Sequence, residues 1–506
     1  MQGDQLDLLA PAQPLPTALT DVDELMALLG QWRDNGWLRS LDRALAGFLL
    51  EQSPDCPPLV LLAAALASHQ LGHGHVCLDM RATLDEPDLA LSLPPEGEDA
   101  GAAMLPSSLL GGLLLADWQA VLAASAVVNT DDAADDARPL VLRGERVYLR
   151  RYWQYERHVV AALGDRLGRP LALPEDTPQR LDQLFAGSVQ QPDWQRLACA
   201  LAARGRFSII TGGPGTGKTT TVVRLLALLQ GPAVQAGRPL RIRLAAPTGK
   251  AAARLTESIG KQVGELPVAP EVRAEIPTDV STLHRLLGSL PDSRHFRHHA
   301  GNLLALDVLV IDEASMIDLE MMARVFDALP ASARLILLGD KDQLASVEAG
   351  AVLGDLCAHA DEGRYTAQTQ GWLEAISGQS LDAAQLLPGE PGRHMLQQQT
   401  AMLRHSHRFG RDSGIGELAR AVNRCDSAAA RSLLRTGAFS DIHHGQLMHA
   451  ADPQFAALVL GREVSLPGYA SYLQVLSGQR PAAGTPADNP AWAGWASSTS
   501  SKSLIA

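Results

Sequence analysis

Phe207-Ser208-Ile209-Ile210-Thr211, followed by Gly212-Gly213-Pro214-Gly215-Thr216-Gly217-Lys218-Thr219, decides how this chain is read. The first five residues form an apolar run of strand length. The next eight fit G-x-x-x-x-G-K-[ST], and a helical pattern opens at Gly217. Glycines let backbone N–H groups curl around phosphates, and the helix N-terminus adds a favourable dipole. In such a loop Lys218 reaches the β- and γ-phosphates of a nucleotide, and the Thr219 hydroxyl coordinates magnesium. A glycine-rich loop arising by chance would not be expected to have this strand and this helix at its two ends.

Working outward, short apolar runs keep alternating with helical patterns. Ile242–Ala246 precedes a helix from Lys250, and Asp307–Ile311 precedes a helix from Leu319. Arg334–Leu338 precedes a helix near Ala349–His359. Repeated strand–helix units predict an α/β fold with a parallel sheet covered on both faces. Ligands of such sheets bind beyond the carboxyl ends of the strands. Asp312 stands at one such end, where a carboxylate can hold magnesium, and Glu313 beside it can orient and deprotonate a water. Gly339-Asp340-Lys341-Asp342-Gln343-Leu344 follows another apolar run, and Gln343 is placed to sense a γ-phosphate.

Residues 1 to about 110 are rich in Leu and Ala at helical spacing, as in Leu25–Leu29 and Leu59–Leu66. They predict a mainly helical N-terminal domain that closes with a strand-like run, Arg146–Leu149. The several prolines of Gly168–Pro192 read as a linker. Pro267–Pro277 and Asp361–Arg393 read as insertions or mobile loops. No internal repeat is found.

The 506 residues suffice for roughly two to four domains, and 46% hydrophobic with 20% charged residues describes a globular protein with ample core. No uninterrupted apolar stretch is long enough for a membrane span, and Met1–Thr20 lacks a signal-peptide pattern, which leaves the cytoplasm as the expected location. A formal charge of −13 argues against a chain coated in nucleic acid. A locally basic groove is still enough for a DNA motor. Five scattered cysteines form no CxxC pair and read as ordinary buried thiols. His295, His298 and His299, and likewise His443, His444 and His449, read as loop residues rather than a metal site. Asp131–Asp136 reads as a solvated acidic loop. No cluster of carboxylates with a lysine points to a nuclease.

Several further motifs occur in order. They are Ala246-Pro247-Thr248-Gly249-Lys250-Ala251-Ala252, Thr282-Leu283-His284-Arg285-Leu286-Leu287, Ile311-Asp312-Glu313-Ala314-Ser315-Met316, and His405-Ser406-His407-Arg408-Phe409 with Asp412–Gly416. With the phosphate loop and Gly339–Leu344, they resemble superfamily-1 helicases of the 5′-to-3′ branch, in particular the RecD family of exodeoxyribonuclease V alpha subunits. Gly74–Asp79 and Tyr148–Tyr152 resemble the same family, and the likeness covers roughly residues 10 to 440. The resemblance implies RecA-like motor domains, ATP and magnesium as cofactors, single-stranded DNA from duplex ends as ligand, and RecB-like and RecC-like partners in a heterotrimer. It implies double-strand-break repair by homologous recombination and no membrane.

Residue by residue, Gln195 resembles an adenine-contacting glutamine, and Pro247, Thr248 and Lys250 a first single-strand contact. Thr282 and His284 resemble a second contact. Arg408 resembles an arginine that meets the γ-phosphate from a second motor domain. Arg254 reads equally as a solvated helix residue, and His284 also as a capped core histidine. The implied layout is a helical partner-contacting domain (1–165), a linker (166–190), a first RecA-like ATPase domain (191–395), the start of a second (396–460), and a tail (461–506) that reads as disordered. The later V-H-K-S-Q-G and T-R-A motifs of the family are not found, so the sequence reads as a truncated product, with a frameshift near Ala496 as the expected cause. On that reading nucleotide binding persists, hydrolysis is slow, and the chain is an ATP- and partner-binding module deficient in translocation.

Overall fold

The computed structural model describes residues 15–97, 103–131, 137–168, 170–187, 192–344, 346, 348–381, 386–408, 413–442, 449, 455 and 459. The expected tail 461–506, Phe409, Asp412, His443, His444 and most of the acidic loop at 131–136 lie outside these residues. The chain divides into two compact units, Met1–Arg408 and Phe409–Ala506.

The first unit opens with three helices, Val22–Asp34, Ser40–Gln52 and Pro58–Gly72. The third is apolar around its whole circumference, and every residue from Leu59 to Gln70 is buried. A helix with no polar face must be surrounded, and here its neighbours are the other two helices and a small sheet. That sheet comprises β1 (Cys77–Asp79), β2 (Val128–Asn129), β3 (Leu140–Arg143) and β4 (Arg146–Leu149), in the order β1-β4-β3-β2. The sequence predicted only the last of these, because strands of two to four residues are too short to show alternation.

The helix Arg150–Leu167 then packs against Leu319–Ala328. Arg151 donates to Glu320 Oε2 at 2.7 Å and the Tyr155 hydroxyl to Glu320 Oε1 at 2.9 Å.

The second sheet has six strands: β5 (Phe207–Gly212), β6 (Ile242–Ala246), β7 (Val280–Thr282), β8 (Val308–Ile311), β9 (Arg334–Gly339) and β10 (Thr400–Leu403). Their order is β10-β5-β9-β8-β6-β7, and every pairing is parallel. This is the α/β architecture that the sequence predicts. Every residue of β5 and β8 is buried, as expected for strands covered on both faces.

Alternation splits the side chains between two cores. Ile210, Val310, Ile336 and Leu338 face the helices Trp194–Arg204, Lys218–Gln235 and Gly249–Gly264. Phe207, Ile209, Leu309, Ile311 and Leu337 face Leu319–Ala328 and Arg150–Leu167. Each such side chain contributes about 1.5–3 kcal/mol by leaving water.

Four expectations change. The linker 166–190 contains the helix Thr177–Leu184, which Pro178 starts rather than breaks. Pro267–Pro277 contains the short helix Pro270–Ala274. Asp361–Arg393 contains the helix Ala367–Ser377, capped by the Thr366 hydroxyl. The start of a second domain was expected at 396, yet β10 pairs with β5 and becomes an edge strand of the six-stranded sheet.

In the second unit, the described helices Gly414–Asn423 and Ser427–Thr436 pack together. The Asp441 carboxylate accepts from Gly414 N–H at 2.9 Å and from the Ser413 hydroxyl at 2.8 Å.

Candidate functional site

The parallel sheet gathers motifs that lie far apart in the chain. Gly212, Ala246, Thr282, Ile311, Gly339 and Leu403 are the last residues of their strands, and the motifs that carry Lys218, Lys250, His284, Asp312, Gln343 and Arg408 follow these ends. Thr211 is in register with Gly339, Ala245 with Ile311, and Ala246 with Thr282. The result is a cleft of about 760 Å³ lined by Gly215–Thr219, Thr248, Lys250, Arg254, Asp312, Glu313, Gln343 and Arg408, among others.

The loop from Gly212 to Gly217 depends on its glycines. Gly215 and Gly217 have φ of +74° and +84°, which side chains rarely adopt. A Cβ on Gly215 would collide with Arg408, and one on Gly217 with the Gln195 amide. The Thr216 hydroxyl donates to Gly213 O at 2.9 Å and braces the turn. Lys218 Nζ donates to Gly212 O at 2.5 Å and Gly213 O at 3.3 Å, so its ammonium lies over the loop mouth.

Asp312 sits where β8 ends, with its N–H on Ala245 O at 2.9 Å. Burial pushes its carboxyl up to about 6, and the Glu313 charge adds to this. The Glu313 N–H, Lys218 and Arg254 oppose the shift. Glu313 itself has φ +51°, a left-handed conformation that costs a non-glycine residue roughly 1–3 kcal/mol. This turn was not legible in the sequence, because no glycine marks it.

At the end of β9, Asp340 is buried and its carboxyl is raised by that burial, with Lys218 among the groups opposing the rise. Gln343 is exposed and donates its N–H to Asp340 O at 3.2 Å.

The segment after β10 closes the loop side of the cleft. His407 N–H donates to Gly215 O at 2.8 Å, and the Ser406 hydroxyl to Pro214 O at 2.9 Å. These bonds hold Arg408 beside the phosphate loop within the first unit.

Gln195 lies in the first turn of Trp194–Arg204 and donates from Nε2 to Thr216 O at 3.2 Å. Thr248 and Thr282 both cap helices, accepting from Ala251 N–H and Arg285 N–H at 3.2 Å each. Their strands are neighbours, so the two expected DNA-contact motifs lie side by side on one sheet edge. Only Thr248 and Lys250 of that group line the cleft beside the glycine loop. Pro247 and Thr282 do not, and His284 lines a separate cleft of about 390 Å³ with Tyr152, Arg294 and Phe296. His284 is exposed, with its ring 5.9 Å from that of Phe296, so it is not the core histidine that was its alternative reading.

Among the described residues, no helix is long and apolar enough to cross a membrane. Residues 34–148 match the family described as RecBCD enzyme subunit RecD, N-terminal domain, and residues 195–349 match an AAA domain. The chain is 39% identical over 373 residues to the RecBCD enzyme subunit RecD of Haemophilus influenzae, covering 72% of this chain and 56% of that protein. It is 39% identical over 393 residues to the RecD subunit of Mycolicibacterium smegmatis, covering 77% and 58%. An ATP-dependent RecD2 DNA helicase of Deinococcus radiodurans is 31% identical over 308 residues, covering 58% of this chain and 39% of that one. The chain thus spans less than two thirds of the length of these relatives. With a RecD-type N-terminal region at 34–148, a P-loop domain at 195–349 and this level of identity running through both, the chain belongs to the RecD family.

Proposed function

We propose that the chain binds Mg-ATP on its phosphate loop and couples hydrolysis to 5′-to-3′ movement on single-stranded DNA. It would do so in the cytoplasm as the helicase subunit of a RecBCD-type exodeoxyribonuclease, with RecB-like and RecC-like partners, in double-strand-break repair. One observation carries this reading. Lys218, Asp312, Glu313, Gln343 and Arg408, drawn from four strand ends, line one cleft.

The residues fit the nucleotide and its metal. The left-handed backbone at Gly215 and Gly217 lets the loop curl with Arg408 and the Gln195 amide packed directly against it. Asp312 has its carboxyl raised by burial, and a divalent cation beside it would offset that cost. Thr219 and Asp312 would hold magnesium, which when bound neutralises charge on the phosphates.

Lys218 would bind the β- and γ-phosphates, and Glu313 would orient a water and take its proton. Arg408 would stabilise charge developing on the γ-phosphate, and Gln343 would report its presence. Pro247, Thr248, Lys250, Thr282 and His284 would hold the DNA strand, with Lys250 at a helix start suited to a phosphate.

The test is ATP hydrolysis by the purified chain, with and without single-stranded DNA, beside Lys218→Ala. DNA-stimulated turnover that the variant loses supports the proposal. Turnover indifferent to DNA would mark a P-loop ATPase of another kind. Absence of nucleotide binding would overturn the assignment of the cleft.

A further inference from the structure

The Gln195 amide is held from both ends. Its Nε2 donates to Thr216 O at 3.2 Å, and Arg224 Nη1 donates to its Oε1 at 3.2 Å. A primary amide can flip, exchanging its oxygen and nitrogen and reversing what it offers a ligand. Here a flip would bring Oε1 against a carbonyl and the NH₂ against a guanidinium, so both contacts enforce one orientation.

The holding groups are themselves fixed. Asp193 caps the helix, accepting from Gln195 N–H at 3.0 Å and Arg196 N–H at 3.1 Å. The Arg224 guanidinium lies 4.7 Å from the centre of the Phe185 ring. Beside Arg224 runs a groove of about 350 Å³ lined by Gln183, Leu184, Ala186, Thr220 and Gln262. Thr220 and Gln262 also line the nucleotide cleft, so the groove is continuous with it.

An amide in a fixed orientation offers one acceptor and one donor in a set order. Adenine presents a matching edge, the N6 donor beside the N7 acceptor, whereas guanine presents O6 and N7, both acceptors. We propose that Arg224 is a positioning residue that locks the Gln195 amide and thereby sets preference for adenine over guanine nucleotides. This rests on the reading of the cleft as a nucleotide site.

The test measures affinity for fluorescent mant-ATP and mant-GTP with the full chain. The wild type should prefer mant-ATP by roughly tenfold or more, the worth of a hydrogen bond to a wrong partner. Arg224→Met should lose most of that preference, chiefly through weaker mant-ATP binding, while Arg224→Lys, which keeps a donor, should restore part of it. A purely structural role would weaken both nucleotides alike and leave their ratio unchanged.

A folded Arg224→Met chain with the wild-type ratio overturns the inference. If that variant does not fold, Arg224→Gln replaces it, since its amide can donate or accept and so cannot enforce one orientation. An unchanged ratio in that variant overturns the inference equally. A wild type that binds both nucleotides without preference overturns it while leaving the nucleotide site standing. A wild type that binds neither overturns the site itself.

Discussion

The N-terminal helices and the carboxyl edge of the large sheet both bury polar groups, but they treat them in opposite ways. Around the helix Pro58–Gly72 the polar groups have partners. The Asp42 carboxylate, with no exposed surface, accepts from Arg39 N–H at 2.9 Å, Arg39 Nη2 at 2.7 Å and the Ser68 hydroxyl at 2.7 Å. His69 Nε2 is paired with Leu91 O at 2.8 Å and Gln70 Nε2 with Ala90 O at 2.7 Å. At the sheet edge, Asp312 is raised by burial, Glu313 sits at φ +51°, and Lys218 leans on loop carbonyls. Satisfied groups stabilise a fold, whereas groups held at a cost are available to a ligand. The first region should therefore respond to mutation in stability, and the second in activity.

The largest expected effect lies at the edge. Arg408→Ala should lower kcat for ATP hydrolysis by roughly 10³-fold, as for loss of an arginine finger, with little change in melting temperature. Steady-state kinetics with a thermal melt checks it. A drop in melting temperature without a drop in kcat would break the contrast.

Next comes Asp42→Ala. It leaves the Ser68 hydroxyl buried without its acceptor and frees Arg39, so stability should fall by about 3 kcal/mol. Urea unfolding measures this, and nucleotide affinity of the folded fraction should be unchanged. Altered affinity would mean that the two regions are not separable.

Glu313→Gly should move the two readouts in opposite directions. Glycine tolerates the left-handed backbone, so stability should rise by about 1 kcal/mol while hydrolysis is largely lost. A destabilised variant would show that Glu313 is not strained.

The smallest effect is a pH dependence at His69. Burial holds its imidazole below the ordinary value of 6.5, with the His73 ring 4.3 Å away lowering it further and Asp42, at 4.0 Å, opposing. The unfolded chain therefore binds the proton first as pH falls. Stability is full above about 6.5 and declines below it, towards the folded value, by at most about 1.4 kcal/mol per pH unit. Urea midpoints at pH 7.5 and 5.5 test this, and the slope should flatten in His69→Gln.

How much of this the sequence reveals depends on how local each feature is. The phosphate loop, β5, β6, β8 and β9 are legible because each apolar run is followed along the chain by a motif or a helix. The helix Thr177–Leu184 was hidden behind Pro174 and Pro178, which read as linker signals although proline suits a first helical turn. The partner of β10 could not be read, because the four residues Thr400–Leu403 do not say which of the five other strands they join. Gln195 was found by likeness to a family, but its brace on Arg224 connects residues 29 positions apart and has no sequence signature.

The place of β10 also bears on how the chain is made. Its partner β5 begins at Phe207, and β10 begins at Thr400, so about 190 residues separate the two. At synthesis rates of about 5–20 residues per second, β5 waits roughly 10–40 s for its outer neighbour to emerge. During that interval a strand whose every residue is buried in the finished fold presents a row of unpaired N–H and C=O groups, a template for pairing with another nascent chain. A ribosome that stalls between Gly339 and Thr400 would therefore release a motor sheet with an open apolar edge, and chaperone demand should be greatest for chains of that length.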